Sequence, residues 1–220
     1  MKRVRIRKKR VLILLVIITI LILIVLSFLK IRISNIYVSG NDFFNDQYIL
    51  ECAKIDDYPK TFFNSSISIK KRLESDIYIS RANVYKKGLK EVHIEVVENR
   101  PLYYDSISNY TVLMDKQYST KIFNVPILIN KVDESVYDKF ISKLSEVNAS
   151  VLSFISEIKY SPNDVDKELF VFTMNDGNYV SVNLNKFSSV NRYFDMVVNF
   201  NNHKGILYLD SGEYFKILEN

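Results

Sequence analysis

Residues 11–29, VLILLVIITILILIVLSFL, run for nineteen positions without a charge, a proline or a glycine, and only Thr19 and Ser27 are polar. At about 1.5 Å per helical residue such a run covers roughly 28 Å, close to the hydrocarbon thickness of a bilayer. In lipid a lone segment must satisfy its own backbone groups, so it is expected to be a helix. A cleaved secretory signal has a shorter apolar core of about 7–15 residues and a small-x-small cleavage site. Here the run ends in Phe28-Leu29-Lys30. The stretch reads as an uncleaved membrane anchor.

The residues before it set the orientation. Lys2, Arg3, Arg5, Arg7, Lys8, Lys9 and Arg10 are seven cations with no acidic residue among them. The positive-inside rule keeps such a tail in the cytoplasm and sends the rest of the chain across the membrane. Adding Lys30 and Arg32, nine of the 30 basic residues fall within the first 32 positions; 21 then remain against all 25 acidic residues, a balance of −4. The net +5 of the whole chain therefore belongs to the tail, a topology signal and a contact for anionic head groups. The remainder carries no basic patch, so no nucleic-acid partner is expected.

About 190 residues follow the anchor, enough for one large domain or two small ones. Cys52 is the single cysteine, which excludes an intrachain disulfide, and its thiol is expected to be a small buried apolar group. Ile33 to Val38 reads as a strand stopped by Gly40-Asn41. Asn45 is a candidate N-cap for a helix with Phe44, Tyr48, Ile49, Cys52 and Ala53 on one face, in a region ended by Pro59. A second helix is capped at Ser65 or Ser66, with Ile69, Leu73 and Ile77 inward and Lys70, Lys71, Arg72 and Glu74 facing water. Ser80 to Lys86 and Leu89 to Val97 read as a hairpin around Lys87-Gly88. Val92, Ile94 and Val96 alternate with Glu91, His93 and Glu95, which makes His93 a solvated strand residue.

Beyond residue 101, Leu102 to Ile107 and Tyr110 to Met114 read as paired strands around Ser108-Asn109, and Val125-Pro126-Ile127-Leu128 follows them. A helix is expected over Glu134 to Val147, with Val136, Tyr137, Phe140, Ile141 and Leu144 as its apolar stripe. Ile155 to Tyr160, Leu169 to Met174 and Tyr179 to Leu184 are strands, the last two joined through Asn175-Asp176-Gly177. Phe187 to Phe200 returns to helical spacing. Two final strands, Ile206 to Leu209 and Tyr214 to Leu218, flank the turn Asp210-Ser211-Gly212-Glu213.

No constellation for chemistry emerges. There is no GxSxG, neither His93 nor His203 has a base or ligand partner in sequence, and the carboxylate pairs Glu95/Glu98 and Asp164/Asp166 read as solvated surface. The expectation is a protein that is not an enzyme, with no cofactor, no metal and no small-molecule substrate. What remains is partner recognition: a sheet whose last strand lies at the end of the chain tends to leave an edge of unpaired N–H and C=O groups, which another strand can join.

The strand-helix-helix-strand-strand order just outside a single span, with Val38-Ser39-Gly40-Asn41, Phe62-Phe63-Asn64, Ala82-Asn83-Val84 and Glu98-x-x-Pro101 at its turns, resembles a POTRA domain. The whole chain resembles the DivIB/FtsQ cell-division family. The resemblance implies an α+β fold: a cytoplasmic basic tail over 1–10, a transmembrane helix over 11–29, a POTRA-like β-α-α-β-β module over 33–101, and a curved, mostly antiparallel β-sheet domain backed by helices over 102–220. It also implies a non-catalytic divisome scaffold at the septum. The partners are DivIC/FtsB-type and FtsL-type membrane proteins and, through them, septal peptidoglycan synthases. The implied contact region is Tyr208, Leu209, Asp210, Ser211, Gly212, Glu213, Tyr214, Phe215, Lys216 and Ile217. The alternatives are a membrane-anchored cell-wall hydrolase and a POTRA-bearing transport or secretion component.

Overall fold

The computed structural model describes residues 8–200 and 203–218. Of the basic tail, Lys2, Arg3, Arg5 and Arg7 lie outside the described residues, while Lys8, Lys9 and Arg10 open helix α1 (Lys8–Leu29). The apolar run Val11–Leu29 sits in this one helix with none of it buried against the rest of the chain. A helix that is apolar on every side and uncovered by protein has the length and composition to cross a membrane. The Thr19 hydroxyl donates back to the Leu15 carbonyl at 2.9 Å, which pairs the run's central polar group internally.

The chain divides into two units, Met1–Glu98 and Asn99–Asn220. In the first, β1 (Asn35–Ser39), α2 (Asp46–Ala53), α3 (Ser66–Leu73), β2 (Ile79–Lys87) and β3 (Glu91–Glu98) follow in order. The sheet runs β1-β3-β2, with β1 parallel and β2 antiparallel to the central β3. Val92, Ile94 and Val96 of β3 are buried, as are Ile49 and Ala53 of α2 and Ile69 and Leu73 of α3. Both helices start where their caps dictate: Asn45 Oδ1 accepts from Tyr48 N at 2.9 Å, and Ser65 Oγ from Ser68 N at 3.1 Å. Gly40 is required by geometry. Its φ is +82° and a Cβ there would lie 2.2 Å from the Val96 carbonyl oxygen.

Several side chains in this unit depart from expectation. Glu98 is not solvated surface: it is buried, and its carboxylate accepts from the consecutive amides of Asp42 (3.1 Å), Phe43 (2.9 Å) and Phe44 (2.8 Å). His93 is stacked between Tyr37 and Tyr85, each ring centroid 4.8 Å away, with Nε2 2.5 Å from Glu91 Oε1. Cross-strand register explains it, because Tyr37, His93 and Tyr85 are direct partners on the three strands. Ile77 lies beyond the end of α3 and is exposed. Arg72 turns inward onto Asn64 Oδ1 at 2.7 Å. Cys52 is half-buried, with Sγ 3.4 Å from Asp76 Oδ2.

The second unit is built on a nine-stranded mixed sheet. Its strands are β4 (Pro101–Asp105), β5 (Tyr110–Leu113), β6 (Tyr118–Ser119), β7 (Ile127–Leu128), β8 (Ile155–Tyr160), β9 (Leu169–Met174), β10 (Tyr179–Asn183), β11 (Gly205–Tyr208) and β12 (Tyr214–Ile217). Their order is β12-β11-β10-β9-β8-β7-β4-β5-β6. Five of the eight pairings are antiparallel; β4–β7, β7–β8 and β10–β11 are parallel. Helix α4 (Glu134–Leu144) and the short α5 (Ala149–Leu152) contribute Phe140, Ile141, Leu144, Val151 and Leu152 to the core. Phe140 and Phe170 stack with centroids 5.0 Å apart, and Phe187 meets Phe140, Phe170 and Phe172 edge-on.

The region expected to be one helix over Phe187 to Phe200 is instead a 3-10 stretch (Leu184–Arg192), a single turn of helix α6 (Tyr193–Val197) and a 3-10 turn (Val198–Phe200). The buried side chains are Leu184, Phe187, Val190 and Tyr193, at intervals of three. That spacing keeps one face inward at three residues per turn, whereas an α-helix would rotate it away. Phe194 and Val198, which helical spacing would turn inward, are exposed.

Candidate partner-binding edge

Strand β12 is the outermost strand of the large sheet, paired to β11 on one side, and among the described residues no strand covers the other. Register fixes which backbone groups face outward. Leu218 N donates to Lys204 O at 2.9 Å, and Lys216 and Tyr214 occupy the same phase opposite Ile206 and Tyr208. Phe215 and Ile217 therefore sit in the non-hydrogen-bonded pairs, opposite Leu207 and Gly205, and direct their N–H and C=O groups away from β11.

The side chains divide between two faces. On the open face Tyr208 and Tyr214 stack with centroids 4.7 Å apart at 12°. Beside them Val171, Tyr179, Ser181, Ile206, Tyr208 and Leu218 line a shallow, mainly apolar depression of 260 Å³. On the inner face Phe215 stacks on Phe200, and Leu207 is buried. Leu209 is buried too, with its N–H donating to Ser181 O at 2.8 Å, so it serves the core and is not available to a partner. Ser211, Gly212, Glu213, Tyr214, Lys216 and Ile217 are exposed, and Asp210 and Phe215 half-buried. Glu213 is ion-paired with Arg192. Both side chains are about half exposed, which limits the pair to roughly 0–1 kcal/mol. Asp210 Oδ1 is buried with no hydrogen-bond partner among the described residues.

A residue outside the predicted contact region anchors the start of this ribbon. Asn178 is buried; its Oδ1 accepts from Gly205 N at 3.0 Å and its Nδ2 donates to the Tyr193 hydroxyl at 3.1 Å. That hydroxyl in turn donates to Asp176 Oδ2 at 2.8 Å. Burial, with the Asp176 carboxylate alongside, pushes the Tyr193 phenol up, so it stays a donor. Asn178 follows the legible Asn175-Asp176-Gly177 turn, yet nothing local says that it reaches Gly205.

Among the described residues no group of three or more His, Cys, Asp or Glu side chains is placed to hold a metal ion. The family model that matches the chain is the FtsQ-type POTRA domain, over residues 31–99. Cell division protein DivIB of Listeria monocytogenes is 27% identical over 195 residues, covering 84% of this chain and 72% of its own. DivIB of Bacillus subtilis is 24% identical over 196 residues, covering 84% and 74%. Residues 31–99 are an FtsQ-type POTRA domain, and over most of its length the chain is similar to DivIB cell-division proteins. A solved structure of the major extracytoplasmic domain of DivIB from Geobacillus stearothermophilus is 20% identical, covers 45% of this chain and 90% of its own, and has a TM-score of 0.37.

As an FtsQ-type POTRA domain, residues 31–99 show why two of the sequence signatures exist. Gly40 lets the β1 turn pass against the Val96 carbonyl, and Glu98 gathers the three amides that follow that turn. The family's POTRA signature at its two ends is one hydrogen-bonded closure.

Proposed function

We propose that this chain is a non-catalytic, single-span scaffold of the division machinery. The basic tail is cytoplasmic, and both folded units are extracytoplasmic. The observation that carries the reading is the uncovered outer side of β12, where Phe215 and Ile217 present backbone N–H and C=O groups. An extended segment of a DivIC/FtsB-type partner, held with an FtsL-type partner, adds a further strand there. The Tyr208/Tyr214 stack and the apolar depression beside it take side chains from the added strand.

Anchoring in the membrane raises the effective concentration of this edge toward similarly anchored partners, so a modest contact suffices. The assembled partners position and regulate septal peptidoglycan synthases, and this chain touches no substrate.

The test is co-purification of the full-length chain with a DivIC-type partner. Ile217→Pro removes one outward N–H while leaving the β11–β12 bonds in place, because proline is tolerated where an edge strand's N–H faces outward. Ile217→Ala keeps the N–H. Loss of the partner with Ile217→Pro and retention with Ile217→Ala is expected. Full retention by a folded Ile217→Pro chain would rule out strand addition.

A further inference from the structure

We infer that the membrane-proximal end of the first unit rests on an anionic lipid surface, through the Phe62–Phe63 pair and the lysines around it. The inference depends on α1 being a membrane span, as proposed above.

The span ends at Leu29, and two residues later the chain is already bonded to the segment that carries the two phenylalanines. Thr61 N donates to Ile31 O at 2.9 Å, Ile33 N donates to Pro59 O at 3.0 Å, and Arg32 bridges Lys60 in antiparallel fashion. Covalent reach plus one hydrogen bond places the Phe62 and Phe63 backbone within roughly 20 Å of the end of the span, however the module is tilted. The β2–β3 turn is fastened to the same place. Thr61 is buried, its hydroxyl donates to Leu89 O at 2.6 Å, and its carbonyl accepts from Lys86 Nζ at 3.1 Å.

This end is both apolar and cationic, a basic patch that no single run of sequence shows because its lysines come from three separate segments. Phe62 is 68% exposed and Phe63 64%, their rings edge-to-face with centroids 5.4 Å apart; Leu89 on the neighbouring turn is 49% exposed. Residues 30–33, 56–63 and 86–91 carry Lys30, Arg32, Lys60, Lys86, Lys87 and Lys90 against Asp56, Asp57 and Glu91. The remainder of the chain after the span is net acidic, with 17 cations against 22 carboxylates. Adjacent aromatic rings projecting from a short turn, with lysines on the segments bonded to it, match the two components of an interfacial lipid contact: apolar insertion at head-group depth and attraction to anionic head groups. The Thr61–Phe63 turn holds the rings outward, because Thr61 is the residue of the three that packs inward.

Such a seat gives the first unit a second attachment to the bilayer besides α1 and restricts the tilt of the module about the end of the span.

The chain has no tryptophan, so Phe63→Trp creates a single fluorescent reporter at this site. The full-length variant is reconstituted into vesicles of phosphatidylcholine and phosphatidylglycerol, with and without bromine on shallow acyl carbons. Val97→Trp, exposed at the opposite end of β3 and about 20 Å from Glu91, is the comparison. The expected result is blue-shifted emission from Phe63→Trp, quenched at least about twofold by brominated lipid and shielded from aqueous iodide, with the reverse for Val97→Trp. Emission from Phe63→Trp that iodide quenches as well as it does Val97→Trp, and that brominated lipid leaves untouched, overturns the seat while leaving the span intact. Alkaline washing of the vesicles reports the span separately; protein that washes off overturns both. Lys60→Glu with Lys90→Glu, added to Phe63→Trp, is expected to lower the quenching, and unchanged quenching overturns the part assigned to the lysines.

Discussion

Phe200 and Phe215 lie face to face, ring centroids 3.7 Å apart and 8° from parallel. The outermost strand is thus held by an aromatic contact to the segment before β11 as well as by its own ladder. The space for the Phe215 ring exists because residue 205 has no side chain: a Cβ there would lie 2.6 Å from Phe215 Cζ and 2.2 Å from Lys216 O.

Gly205→Ala should therefore loosen β12, because one of the two clashing atoms is backbone and cannot rotate away. Overpacking of this kind costs about 1–3 kcal/mol. Thermal unfolding of the full-length chain, together with proteolysis of residues 205–218, measures it. A Gly205→Ala variant as stable as the parent would show that the ribbon has another place to go.

Asn178→Ala removes the acceptor of the buried Gly205 N–H and a donor to Tyr193 at once. Leaving buried partners unsatisfied costs about 1–3 kcal/mol per group. Faster hydrogen exchange at Gly205 and weaker capture of a DivIC-type partner are expected, although Asn178 is itself buried and cannot touch that partner. Exchange at Gly205 equal to that of the parent would contradict the anchoring role.

Glu98→Ala deprives the amides of Asp42, Phe43 and Phe44 of their acceptor. Hydrogen bonds to a charged acceptor are worth about 1.5–3 kcal/mol, so a loss of roughly 2–4 kcal/mol in the first unit is expected, with Glu98→Gln milder because one carbonyl oxygen remains. Native-state hydrogen exchange at residues 42–44 reads it directly. Protection that survives Glu98→Ala would assign the closure to packing alone.

Burial, reinforced by the Asp76 carboxylate, pushes the Cys52 thiol up from 9.0 to about 11. A folded value above the unfolded one means that the stability linked to this proton is fully present below pH 9 and is lost as pH rises toward 11. Two units leave roughly a hundredfold less thiolate near neutral pH, so iodoacetamide should label the native chain far more slowly than the urea-unfolded chain. Equal rates at pH 8 would contradict the shift.

Residues acting on near neighbours were legible from sequence. Asn45 and Ser65 cap helices whose first amides lie three residues on; Gly177 takes the positive φ that its turn demands; and the alternation of Val92, Ile94 and Val96 is a strand period visible without a partner. Segments whose form depends on what they pack against were not. The spacing of Leu184, Phe187, Val190 and Tyr193 suits a 3-10 winding only because the sheet lies beneath it, and the short β6 and α5 carry too few residues to signal a period.

Local patterns along the chain sufficed for the apolar span, the charge asymmetry around it and the order of the POTRA-type module, because hydrophobic length, charge count and local turn chemistry act over a few residues. Long-range packing set the rest: β11 returns parallel to β10 and leaves β12 outermost, Leu209 turns inward while Ile217 stays exposed, and Glu98 closes on a turn more than fifty residues earlier. Those outcomes depend on hydrogen-bond partners and packing surfaces brought together across the chain, and no local pattern encodes which distant groups will meet.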